Sequence, residues 1–285
     1  MPDFDAASLA LHEAHKGKLE VRSKVSLATR DDLSAAYTPG VAAVCKEVQA
    51  RPERARDLTF KGNSVAIVSD GSAVLGLGNI GPLGALPVME GKAILFKEFA
   101  DIDGVPVVLD TQDPLEIIKT VERIAPTFGG INLEDIAAPK CFQVENALQG
   151  IGIPVFHDDQ HGTAIVLLAA LLNACRVTGR KPEELKVVIN GAGAAGTAIA
   201  KLLRCVGQDP SVCVPVRDVL VCDSKGIIGR QRTDLNNAKQ LLLHYTNRAD
   251  QSGSVFDALV GADVFIGVSV GDLIGPEHIR SMSDS

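Results

Sequence analysis

The 285-residue sequence has no tryptophan and only two tyrosines, and aromatic residues make up 4% of it. Any core must therefore be aliphatic, and the length suits two domains better than one. There is no CxxC pair. The six cysteines (Cys45, Cys141, Cys175, Cys205, Cys213 and Cys222) are scattered, most of them in apolar stretches. That pattern excludes a dense disulfide framework, and the expectation is of buried thiols in a reducing compartment. No block of lysine or arginine exists and the net charge is −7, which weighs against nucleic acid or an anionic membrane as partner. The longest apolar run, 164–172, is too short to span a bilayer. The N-terminus is acidic with no apolar segment behind it, so no secretory signal is expected. What is present is 46% hydrophobic and 22% charged residues, enough for an ordered core. A cytoplasmic protein acting on a small molecule is the expectation.

Apolar, β-branched runs at 65–69, 105–109, 130–133 and 153–156 read as buried strands. Helical periodicity fills 87–99, 114–124 and 140–148, the second opened by Asp113-Pro114, a cap followed by a first-turn proline. Strand and helix in alternation mean βαβ units and a parallel sheet. A second unit begins near His161 with a helix over 163–177 closed by Gly179, then a strand at 185–189. A glycine-rich turn, a helix at 197–205 and strands at 219–222 and 263–266 follow. Residues 207–217 carry two prolines and read as an unusually long loop. The polar helical segment before the first strand is expected to cover the sheet or a neighbouring subunit. The fold class expected is α/β: an N-terminal parallel-sheet domain over 1–160 and a Rossmann-type dinucleotide-binding domain over 161–285.

The turn reads Gly191-Ala192-Gly193-Ala194-Ala195-Gly196. A lone GxGxxG is a weak signal, but this one follows a strand and opens a helix, as dinucleotide binding requires. Gly191 permits the tight turn, Gly193 lets a pyrophosphate approach, and Gly196 lets helix and strand pack; Ala194 and Ala195 offer N–H groups at the helix start. Asp223 ends the next strand, placed to accept hydrogen bonds from ribose hydroxyls. Its separation from Gly191 exceeds the usual ~20 residues, and the 207–217 loop accounts for the excess. Asp223 favours NAD because it repels a 2′-phosphate, while Lys225 offsets that, so NAD and NADP both stay open. A ligand-free βα turn is the bland alternative.

The strands of the first unit end in acids: Asp70, Asp110, Glu134-Asp135 and Asp158-Asp159. In an open parallel sheet, ligands bind outside the carboxyl ends of the strands. Such a crowd of like charges is costly unless a cation neutralises it, and all-oxygen ligands suit Mg²⁺ or Mn²⁺. Ordinary capping is the alternative, and it is the reading taken for Asp110. His157 and His161 flank the last pair and are read as hydrogen-bonding residues rather than ligands.

At these residues the chain closely resembles the malic enzyme family in its compact bacterial form. The stretches that carry the resemblance are TRDDLSAAYTPGVA (29–42), SDGSAVLGLGNIGPLGALPVMEGKAILFKEFADID (69–103), INLEDIAAP (131–139), FHDDQHGTAIV (156–166) and NGAGAAGTAIA (190–200). Related malolactic enzymes share them. The resemblance implies that Glu134, Asp135 and Asp159 hold the divalent cation, and that Lys92 takes the proton from the C2 hydroxyl of malate. It also implies that Tyr37 protonates C3 of the enolate and that Asp158 tunes the proton transfer. An exposed helix cation is the bland reading of Lys92, and an amphipathic surface residue that of Tyr37.

Two departures from the family pattern stand out. Ala73 occupies the place of an arginine that larger members carry. The asparagines that bind malate beyond the last strand have no counterpart before Ser285. The expectations are therefore a homodimer that converts malate to pyruvate with NAD or NADP, a malolactic enzyme, or a shortened chain that binds dinucleotide but turns malate over poorly. A non-catalytic nucleotide-binding module is a further reading, disfavoured by the acid, base and metal ligands occurring together.

Overall fold

The structure, a computed structural model, describes residues 3–283. The chain divides into two compact units, the first ending at Phe156 and the second beginning at His157.

The first unit opens with helices α1 (Phe4–His15), α2 (Arg30–Ala36), α3 (Val41–Ala50) and the single turn α4 (Ala55–Leu58). None of them has a buried residue within this chain, and apolar side chains such as Phe4, Leu9, Leu33 and Val44 are exposed on them. A parallel sheet follows, of β1 (Ser64–Ser69), β2 (Asp103–Val108), β3 (Gly130–Leu133) and β4 (Val155–His157), in the order β2-β1-β3-β4. Ala66, Ile67 and Val68 of β1 are fully buried, which explains why this strand reads as an unbroken apolar run rather than an alternating one. Helices α5 (Gly81–Ala100), α6 (Pro114–Ile124) and α7 (Lys140–Leu148) connect the strands.

Helical periodicity places the start of α5 at Pro87, but the helix begins six residues earlier and carries that proline in its interior. An internal proline costs a hydrogen bond. Burial of Ala85, Met89 and Ala93, one turn apart on the face against β1 and β2, outweighs it. Asp113 caps α6 as expected, accepting hydrogen bonds from the N–H groups of Leu115 and Glu116 at 2.8 and 3.0 Å.

The second unit starts with α8 (Asp158–Thr178), closed by Gly179 in the left-handed conformation. It begins five residues before the expected start, so Asp158 and Asp159 are first-turn residues, where acids favour the helix dipole. The short apolar run had argued against any membrane span. The helix built around it has 21 residues and is long and apolar enough to cross a membrane by length and composition alone. Its Ala164, Leu171 and Cys175 nevertheless belong to the core of this unit.

The second sheet has the order β7-β6-β5-β8, from β5 (Lys186–Asn190), β6 (Asp218–Asp223), the two-residue β7 (Gly226–Ile227) and β8 (Val264–Gly267). β6 and β8 flank β5 in parallel, and β7 turns back antiparallel on β6. Val187, Ile189, Val219 and Val221 face α8 and α9 (Ala194–Leu203). The intervening Val188, Leu220 and Cys222 face the other way. Short helices α10 (Asn237–Leu242), α11 (Val255–Leu259) and α12 (Pro276–Arg280) complete this unit.

The cysteine expectation needs correction. Cys141, Cys175 and Cys222 are buried thiols, but Cys45 is exposed and Cys205 is disulfide-bonded to Cys213. The long loop after α9 returns its valine-rich segment to the helix end, which brings the two sulfurs together. Sequence spacing alone did not reveal this.

Candidate functional site

In the first sheet the strand order reverses between β1 and β3, so their carboxyl ends open a crevice of the kind that holds ligands. Asp70 ends β1 and is fully buried. One of its oxygens accepts hydrogen bonds from the N–H and Oγ of Ser72, at 3.0 and 2.6 Å, and the other is ion-paired with Lys140. Ser72 Oγ in turn accepts from the Ala137 N–H at 2.9 Å, and the Ala73 N–H donates to the Asp135 carbonyl at 3.0 Å. The loop after β1 thereby fixes the loop after β3.

That second loop carries Glu134 and Asp135, which are 6% and 5% exposed. Asp135 has a positive φ of 54°, so the chain turns there and presents two consecutive acids at one strand end. Glu134 Oε2 accepts from Asn132 Nδ2 at 2.8 Å. Its Oε1 lies 3.0 Å from Nζ of Lys92, in the middle of α5. Lys92 is therefore no exposed helix cation: the helix carries it to the end of β3. Tyr37 caps the C-terminus of α2, its side chain 68% exposed. Two buried adjacent carboxylates concentrate negative charge that burial penalises, and their all-oxygen chemistry fits a hard divalent cation.

In the second unit, Asp158 and Asp159 open α8. Asp158 lies over Gly162, where an added Cβ would stand 2.1 Å from its Oδ1. His157 is fully buried, with Nδ1 4.0 Å from Asp159 Oδ2.

The glycine turn borders a cavity of about 670 Å³ whose lining includes Gly191, Gly193, Asp223, Lys225, Lys239 and Ser269. Gly191 has φ 131°, and a Cβ on Gly196 would lie 1.7 Å from the Gly191 carbonyl oxygen, so this turn closes only with glycine at both positions. Gly193 differs: nothing lies within 4 Å of a Cβ placed there. The open space in front of Gly193, at the start of a helix that no described side chain caps, fits a pyrophosphate.

Asp223 stands at the end of β6 as expected, but its surroundings were not foreseen. Both of its oxygens are engaged. Oδ1 accepts from Arg232 Nη1 at 2.8 Å and from the Lys225 N–H at 2.9 Å, and Oδ2 accepts from Arg232 Nη2 at 3.0 Å and from Lys239 Nζ at 2.6 Å. Burial alone would raise its pKa; the bonds from Arg232, Lys239 and Lys225 outweigh that and hold it at about 2. A depressed carboxyl stabilises the fold above its unfolded pKa of 3.8, and that contribution is lost as pH falls toward 2. In acid titrations followed by circular dichroism, Asp223→Asn is expected to be the less stable form at neutral pH. Its deficit should shrink between pH 3.8 and 2; a deficit independent of pH would show that the charge is not what matters. Arg232 and Lys239 carried no sequence signal, because only the β6–β7 hairpin and α10 bring them back to the strand end.

The first α/β unit carries an acid-and-lysine crevice at its strand ends, and the second a glycine-turn cavity of the kind that binds nucleotides. Residues 16–116 and 111–149 match the profile "Malic enzyme, N-terminal domain", and residues 160–285 match "Malic enzyme, NAD binding domain". The chain is 52% identical to the bifunctional malic/malolactic enzyme of Bacillus subtilis, over 97% of this chain and 66% of that one. It is 53% identical to the NAD-dependent malic enzyme of Geobacillus stearothermophilus, over 94% and 54%. Among solved structures, the NAD-dependent malic enzyme of Thermotoga maritima is similar with a TM-score of 0.91 and 49% identity, over 97% of this chain and 72% of that one. The chain belongs to the malic enzyme family. It spans between half and two thirds of the length of these two curated relatives.

Proposed function

We propose that the protein oxidises malate and decarboxylates the product to pyruvate and CO₂, with NAD or NADP as hydride acceptor and Mg²⁺ or Mn²⁺ as Lewis acid. The observation that carries this reading is Lys92 Nζ, 3.0 Å from Glu134 Oε1 at the switch point of the first sheet. In this reading Lys92 removes the C2 hydroxyl proton, and its ion pair with Glu134 aims the amine at the strand end. Tyr37 delivers a proton to C3 after CO₂ leaves, and Asp158 tunes the exchange. Glu134, Asp135 and Asp159 would hold the cation, which would supply Lewis-acid polarisation of the substrate. Gly191, Gly193, Ala194, Ala195 and Gly196 would hold the dinucleotide, and Asp223 would accept hydrogen bonds from its ribose hydroxyls. Malolactic conversion is a second reading, favoured by the similarity to the bifunctional relative. We also read the protein as a cytoplasmic homodimer, in which the exposed Ile165, Val166 and Val177 of α8 suit a subunit contact.

Thermal unfolding with Mn²⁺ tests the ligand set. A cation that binds only the folded state raises the melting temperature. Mn²⁺ is expected to stabilise the wild type and to have little effect on Asp159→Ala. An equal rise in both removes Asp159 from the set.

A further inference from the structure

Beside Asp223 lies a second carboxylate that the proposed reaction does not use. Asp234, in the loop between β7 and α10, accepts from Arg232 Nε at 2.9 Å through Oδ1 and from Arg232 Nη2 at 2.7 Å through Oδ2. Its Oδ2 also lies 2.8 Å from Lys225 Nζ. Arg232 is thus shared between two acids, one edge of the guanidinium on Asp223 and the other on Asp234. The two acids differ in setting. The Asp223 side chain is 9% exposed and locked by three cationic or N–H donors, whereas that of Asp234 is 34% exposed and that of Lys225 is 66% exposed. Lys225, Asp223 and Lys239 line the cavity in front of the glycine turn.

An arginine fork beside a mobile lysine is how proteins hold a phosphomonoester. Here a side-chain carboxylate fills that arrangement. The five charged groups, Lys225, Arg232 and Lys239 against Asp223 and Asp234, leave an excess of one positive charge at the cavity rim.

We propose that Lys225 and Arg232 form a phosphomonoester subsite at the rim of the dinucleotide cavity, and that Asp234 is a built-in anion occupying it. The choice between a 2′-hydroxyl and a 2′-phosphate on the adenosine ribose is then set by Asp234. This rests on the dinucleotide reading of the cavity. With a 2′-hydroxyl, Asp234 stays on its two cations. A 2′-phosphate displaces it and takes over the outer edge of Arg232 and the ammonium of Lys225, while Asp223 and Lys239 remain paired. The chain accepts both forms and discriminates weakly, because the phosphate must break the Asp234 bonds before making its own.

The test is calorimetric titration of the whole protein with NAD and with NADP, at low and at high salt. Asp234→Ala and its near-isostere Asp234→Asn are each expected to shift the NADP-to-NAD affinity ratio toward NADP by about tenfold or more, the scale of one or two charge-assisted hydrogen bonds. Adding Lys225→Ala to Asp234→Ala should cancel most of that shift, and high salt should shrink it. An unchanged ratio in both Asp234 variants, with NAD still binding, overturns the subsite and leaves the dinucleotide reading intact. Failure of the wild type to bind either nucleotide overturns both. A ratio that moves equally with and without Lys225 removes the lysine and leaves no two-cation subsite.

Discussion

Replacing Lys92 with alanine is expected to lower malate oxidation by about 10²-fold or more, the usual scale for a positioned general base. The side chain leaves the middle of α5 and reaches Glu134 at 3.0 Å, so its place is set by a helix and a strand end rather than by a mobile loop. Truncation removes the proposed proton acceptor and also the cation beside Glu134, so stability should be measured alongside activity. Added short-chain amines should restore part of the rate if the missing function is proton transfer, but not if the helix has merely shifted. Tyr37→Phe tests the proposed division of the two proton steps. It is expected to slow protonation of the enolate while sparing reduction of oxaloacetate, which needs no proton at C3. Equal damage to both half-reactions would remove Tyr37 from the acid role.

Gly193→Val is the second substitution with a large expected effect, and it should act on binding without acting on the fold. The backbone at Gly193 has φ −86° and ψ −157°, extended values that a β-branched residue adopts freely. Nothing stands within 4 Å of a Cβ there, so the free protein should melt close to the wild type. The added methyl groups would occupy the space assigned to the pyrophosphate. Overpacking of about 1–3 kcal/mol corresponds to about 5- to 150-fold weaker dinucleotide binding, readable by calorimetry. Gly196→Ala makes the contrast: its Cβ would meet the Gly191 carbonyl oxygen at 1.7 Å, so it should destabilise the free protein as well. Unaltered affinity in Gly193→Val would move the nucleotide away from this turn.

The parts of this fold that were legible in the sequence are those where local chemistry and tertiary packing agree. Asp113-Pro114 caps α6 at the expected place, and β3 occupies the expected four residues, because capping and β-branched burial act over short range. The early start of α5 was hidden by Gly81 and two prolines, which argue against a helix locally and are overridden by packing on β1 and β2. The early start of α8 was hidden by a polar first turn, since acids that favour a helix N-terminus look like loop residues when read singly. The positions of the glycine turn and of the acids at the ends of β3 and β6 could be read from the sequence, because parallel sheets gather such groups at strand ends. The groups that tune them could not. Lys140 reaches Asp70 from α7, and Arg232 and Lys239 reach Asp223 from beyond a two-residue strand; such pairings depend on loop paths that leave no periodic trace. The Cys205–Cys213 bridge was missed for the same reason.

The most direct test of the proposed chemistry is a product balance on malate. The protein is incubated with malate, Mn²⁺ and NAD, and in parallel with NADP, and reduced dinucleotide, pyruvate, lactate and CO₂ are quantified from the same samples. Even slow turnover decides the outcome, because the ratio matters and the rate does not. The expected result is one reduced dinucleotide and one CO₂ for each pyruvate, lost in Lys92→Ala and dependent on the added cation. Lactate formed without accumulation of reduced dinucleotide, or a balance unaffected by removing Mn²⁺ or Lys92, would contradict the proposed reaction.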